Sequence, residues 1–108
     1  MKLKNIIKHL DGTIEIRDER TLAEAKEQRI GYAKEDCTKH LYESGIDTST
    51  QQNAALGIYS PERCEAIKNY IAACRNEYLR CKALILAATS NEMADSVTFI
   101  APPVKEGL

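Results

Sequence analysis

Between residues 64 and 88, apolar side chains recur at alternating spacings of three and four: Cys64, Ile67, Ile71, Cys74, Tyr78, Cys81, Ile85 and Ala88. That period puts all eight on one stripe of a helix, at the a and d positions of consecutive heptads. Ser60-Pro61-Glu62 supplies the helix start, with a capping hydroxyl, a first-turn proline and an acid at the positive end of the dipole. The helix is predicted to run to about Ala87. A second long helix, predicted over 21–44, opens with the capping box Thr21-Leu22-Ala23-Glu24 and ends at Gly45. Leu22, Ile30, Ala33, Cys37 and Leu41 give it an apolar side. Gly31 interrupts it, and a mid-helix glycine costs about 1 kcal/mol relative to alanine, which predicts a close helix contact or a slight bend there.

Shorter elements follow from the same capping logic. Ser49-Thr50-Gln51-Gln52 predicts a short helix over 52–56 stopped at Gly57, and Thr89-Ser90-Asn91-Glu92 predicts another through Met93 and Val97. Ala101-Pro102-Pro103 ends it, and 104–108 is expected to be a loose tail unless a neighbour holds it. At the N-terminus, 5–10 and 13–17 flank Asp11-Gly12, the pair suited to a two-residue type I′ hairpin turn. That turn sets Leu10 opposite Thr13, His9 opposite Ile14, Lys8 opposite Glu15 and Ile7 opposite Ile16. Ile7 and Ile16 would then share an apolar face, which needs a helix or another chain over it because an isolated hairpin is marginal in water.

The predicted fold is therefore mainly α: an N-terminal β-hairpin (1–18), then a small antiparallel bundle of two long and two short helices (21–100), in one domain spanning 1–108. The long stripe could instead form a parallel homodimer. Its flanking charges leave that ambiguous, since Arg63 would repel Lys68 while Glu77 would attract Lys82, and Tyr78 suits an a position poorly. Packing against the 21–44 helix, antiparallel, is the better solution.

Composition narrows the function classes. Fifteen Lys and Arg against sixteen Asp and Glu leave a formal charge of −1, so no global field draws in nucleic acid or anionic lipid. The lysine-broken N-terminus lacks the apolar run of a signal peptide, and no segment approaches a membrane span, so a cytoplasmic location is expected. Cys37, Cys64, Cys74 and Cys81 form no CxxC pair and are read as free thiols, three of them on the packing stripe.

Candidate chemistry is sparse. Cys37 and His40 lie three apart on one helix face, a spacing open to a nucleophile–base pair or half a metal site, but no second His or Cys pair completes either. Carboxylates are scattered, and the five glycines are dispersed at turns and caps instead of forming a phosphate loop. No catalytic, cofactor or metal residue is assigned, and no enzyme activity is expected. The most regular charge pattern is Lys68, Arg75 and Lys82, every seven residues beside the stripe. These three, with Ile7 and Ile16, are the partner-contact positions the sequence offers. A solvated flank, whose aliphatic stems cover the stripe's edge, is the stronger reading of the cations given the neighbouring Glu62, Glu65 and Glu77.

Several segments together resemble small tailed-bacteriophage proteins. These are the DG-turn hairpin, Leu22-Ala23-Glu24-Ala25-Lys26, the Gly45-Ile46 break, the run Gln52-Asn53-Ala54-Ala55-Leu56-Gly57-Ile58-Tyr59, Ile67-Lys68 with Cys74-Arg75, and Ala87-Ala88-Thr89-Ser90. The chain is similar in particular to tail-fibre assembly proteins. The resemblance implies a non-enzymatic accessory or structural role in a phage or prophage, with a phage structural protein or a second copy as partner and the virion as a second location. It carries over no site residue. The alternative is a small phage regulatory or counter-defence protein that binds a host factor or signalling ligand, for which a polar pocket around Arg75, Tyr70 and His40 would be the mark.

Overall fold

The structure, a computed structural model, describes residues 4–8, 12, 14–104 and 108, with backbone alone at 4–8 and 14–16. The chain order is β1 (Lys4–Lys8), β2 (Ile14–Asp18), α1 (Leu22–Glu43), α2 (Thr48–Ala55), α3 (Pro61–Ala87) and α4 (Asn91–Ser96). It is mainly helical, with one antiparallel strand pair at the N-terminus.

The long helices begin and end where capping chemistry places them. Thr21 accepts from the Glu24 amide while the Glu24 carboxylate accepts from the Thr21 amide, and Gly45 closes α1 with φ +83°. Ser60 caps α3 by accepting from the Arg63 amide, with Pro61 at the first helical position. The short helices differ from expectation in their caps. α2 begins at Thr48, four residues earlier than predicted, because the Asp47 carboxylate accepts from the Thr50 amide at 2.8 Å. In α4 the capping oxygen belongs to Ser90 and not Thr89, whose hydroxyl turns to the Met93 sulfur instead. That helix ends at Ser96, so Val97 is its C-cap.

α1 and α3 pack antiparallel: Leu41 and Cys37 meet the Ile67 and Cys74 end of α3, while Ile30 packs with Ile85. Lys26 Nζ donates to the Leu86 carbonyl at 2.7 Å, which fixes the far end of the pair. Of the stripe, Cys64, Ile67, Cys74, Cys81, Ile85 and Ala88 are buried, whereas Ile71 and Tyr78 are only half-buried. Tyr70 is buried in their stead, which rotates the covered face of α3 away from Ile71. α2 and Ile46 close one end of the core; α4, through Ala94, closes the other. Gly31 lacks the close helix contact that was one of its two predicted causes: a methyl placed on it would meet nothing within 4 Å, and α1 is a single helix across it.

The hairpin corrects the predicted register. Ile6 pairs with Ile16, Ile7 with Glu15 and Lys8 with Ile14, so Ile7 and Ile16 are not opposed and Lys8 does not face Glu15. Each pair is separated by an odd number of residues, which a two-residue turn cannot give. Gly12, at φ +90°, supplies the left-handed position that longer odd loops use. The predicted pairs at His9, Leu10 and Thr13 lie outside the described residues. No helix packs on either strand among the described residues, so the pair projects and the molecule measures 64 × 27 × 22 Å.

Candidate functional site

The root of the projecting pair is a buried cation. Arg20, two residues beyond β2, has a side chain 4% exposed. Its Nε donates to Asp18 Oδ1 at 2.9 Å and Nη2 to Asp18 Oδ2 at 2.8 Å. Nη1 donates to Gln28 Oε1 at 2.6 Å and Asp95 Oδ1 at 3.1 Å, and Nη2 also reaches Asp95 Oδ2 at 2.6 Å. All five guanidinium protons therefore have acceptors, in the bidentate geometry that makes Arg–carboxylate pairs strong. Asn91 Nδ2 donates to the Arg20 carbonyl at 3.0 Å. The strand end, α1 and α4 are thus tied through one residue. Its hydrogen bonds to Asp18 hold that carboxyl well below the usual carboxylate range, and the same bonds raise Arg20. Pattern reading misses this site because Asp95 lies 75 residues from Arg20; Asp18-x-Arg20 beside a helix start was the only local signal.

A second polar cluster holds the C-terminal segment. Tyr70 donates its hydroxyl to the Pro102 carbonyl at 2.8 Å, and His40 Nε2 contacts both Tyr70 Oη and, at 3.2 Å, the same carbonyl. A His40 bearing its proton on Nε2 donates to both oxygens and leaves the Tyr70 proton for Pro102. Burial raises the Tyr70 phenol above its ordinary value. Glu77 fixes the same segment farther up, accepting from the Ile100 amide at 2.6 Å and from Arg80, which in turn donates to the Thr98 carbonyl. Leu108 packs against the core around Leu41 and Tyr70. Of the 104–108 segment expected to be loose unless a neighbour holds it, Leu108 has such a neighbour in this core, while 105–107 lie outside the described residues.

The residues singled out in the sequence are placed as follows. Cys37 is half-buried against the core and makes no hydrogen bond with His40, whose ring is committed to Tyr70 and Pro102. All four cysteines are free thiols, and burial pushes Cys37, Cys74 and Cys81 above the ordinary thiol value, the direction opposite to nucleophilic activation. His40 and Tyr70 do come together, but Arg75 is exposed and has no part in their cluster. Among the described residues, no group of three His, Cys, Asp or Glu side chains could hold a metal ion, and no helix is long and apolar enough to cross a membrane.

Lys68 and Arg75 are exposed, Lys82 is half-buried, and none of the three has a hydrogen-bond or ion-pair partner among the described residues. Beside this row Leu79 and Leu86 lie 47% and 55% exposed. Ala23, Lys26, Glu27, Ile30 and Leu86 line a groove of 350 Å³ between α1 and α3. Ile7 and Ile16 occupy successive strands of the projecting pair. Comparison with protein-family models, with curated proteins and with solved structures returns no match.

Proposed function

We propose that this protein acts through protein–protein contacts, as a non-enzymatic accessory protein of a phage or prophage in tail or tail-fibre assembly. The observation that carries the contact reading is that, beyond the Asp18 end tied to α4 and Arg20, no helix packs along the strand pair among the described residues. Two strands alone are marginal in water, so a surface from another chain is what would complete them. Arg20 holds their root in a fixed direction, which suits an attachment arm more than a linker. The phage setting rests on the resemblance carried by the DG-turn hairpin and residues 22–26, 45–46, 52–59, 67–68, 74–75 and 87–90.

Light scattering of the full chain, alone and co-expressed with the tail-fibre and baseplate proteins of a tailed phage, tests the reading. A mass above the monomer, or stable retention of one of those proteins, is expected. A strict monomer that retains none of them overturns it, and retention of a host factor or small ligand instead would favour the regulatory alternative.

A further inference from the structure

The uncovered face of α3 combines two features that the fold itself does not use. Ala72, Leu79, Ala83 and Leu86 recur with spacings of seven, four and three, so they line one side of the helix, remote from the buried stripe. Leu79 and Leu86 are about half exposed, and the half-buried Ile71 and Tyr78 lie on the other side of the cation row, toward the seam. Beside Leu86 the groove against Ala23 and Ile30 offers 350 Å³, room for a large aliphatic side chain. Lys68, Arg75 and Lys82 run along the same side, one per two turns, with no ion-pair or hydrogen-bond partner among the described residues.

We propose that this face, Leu79 and Leu86 bordered by Lys68, Arg75 and Lys82, docks an amphipathic helix of another protein whose apolar stripe is flanked by Asp and Glu. From Ala72 to Leu86 the stripe is about 21 Å long at 1.5 Å per residue, four turns of a partner helix laid along it. Small residues at 72, before the leucines, and at 83, between them, permit close approach. The charges choose the partner. A second copy using the same face would bring two rows of three cations together, which is repulsive, whereas an acidic flank pairs with them. Glu65 lies at the start of this face and Glu27 at the groove, whereas Glu77 is turned away and engaged by Arg80 and the Ile100 amide. A nucleic-acid backbone would satisfy the cations but bring nothing apolar to cover the leucines. The proposal rests on the protein-contact reading and names the chemistry of the partner.

Selection from a surface-displayed library of 21-residue helices, with Leu, Ile or Val along one stripe and Glu or Lys at the flanking positions, tests it. The full chain should enrich Glu-flanked helices at least tenfold over Lys-flanked ones. The K68E/R75E/K82E variant should invert that preference, and L79E/L86E should lose both. Every altered residue is at least partly exposed, and circular dichroism with a cooperative melt checks that each variant is folded. No enrichment, or the same flank preference in the charge-reversed variant, overturns the proposal. So does binding to phosphatidylglycerol vesicles with no helix selected, which would assign the face to a membrane surface. If phage-protein retention or self-association survives in L79E/L86E while no helix is selected, this face fails and the assembly reading stands. If Glu-flanked helices are selected but the chain is a monomer retaining no phage protein, the assembly reading fails and the face stands.

Discussion

Arg20 is the most tightly specified side chain in the molecule. A buried guanidinium is costly unless its donors are satisfied, and here two carboxylates and an amide oxygen accept from it. Arg20→Met should destabilise the fold by about 3 kcal/mol, because Asp18 and Asp95 would face each other without their cation. Urea denaturation measures this, and a loss below about 1 kcal/mol would mean that the carboxylates re-solvate freely. The pH dependence has a definite sign. Asp18 titrates lower in the folded chain than its ordinary 3.8, so its contribution is fully present above that value and is lost as pH falls toward the depressed one. Melting temperature should therefore decline below about pH 4 in the parent, and Arg20→Met should flatten that part of the decline. Tyr70→Phe removes one donor to Pro102 and should cost about 1 kcal/mol. Hydrogen exchange would show the effect as faster exchange confined to 98–104.

At the scale of elements, α1 and α3 owe their limits to local chemistry and their rotation to packing. Eight positions define the predicted stripe, but Tyr70 takes the buried place that Ile71 was expected to fill. The reason is the C-terminal segment: its Pro102 carbonyl gives the buried phenol a hydrogen-bond partner, which no helical period encodes. Ile67→Asp, at a position with no exposed surface, should cost several kcal/mol, comparable to the stability of a small domain. Ile71→Asp should cost clearly less because its carboxylate can reach water, and equal losses in denaturant titrations would refute the observed rotation of α3. Gly31→Ala should stabilise α1 by about 1 kcal/mol, since the methyl meets nothing and the helical backbone already suits alanine. A lower melting temperature for that variant would mean that the glycine serves a partner lying on α1.

Over the whole molecule, stability is unevenly distributed. The helices bury two apolar clusters, one from Ile46 and Ala54 to Cys74 and one around Ile85, Ala88 and Ala94, whereas among the described residues no helix packs along the strand pair, which is tied to them at its Asp18–Arg20 root. Native-state hydrogen exchange should find strand amides opening at a small fraction of the global free energy and α3 amides only near it. Equal protection in the two regions would show that the pair is already covered, by self-association. Solution scattering of a monomer should give an extended particle, in keeping with a Cα radius of gyration of 18.7 Å, against about 13 Å for a compact chain of this length.

What the sequence determined alone is whatever a few adjacent residues dictate: the capping box at Thr21, the Ser60-Pro61 start, the glycine stops at Gly45 and Gly57, and the three-four stripe that pairs α3 with α1. Each depends on backbone groups or side chains within a turn or two. The hairpin was legible as strands but not in register, because Asp11-Gly12 is compatible with loops of more than one length and one residue changes every pairing. The Arg20 root, the His40–Tyr70–Pro102 cluster and the seating of Leu108 were decided by the tertiary structure. Their partners are brought together only when the helices pack, and a buried donor then takes whichever acceptor the fold leaves within reach.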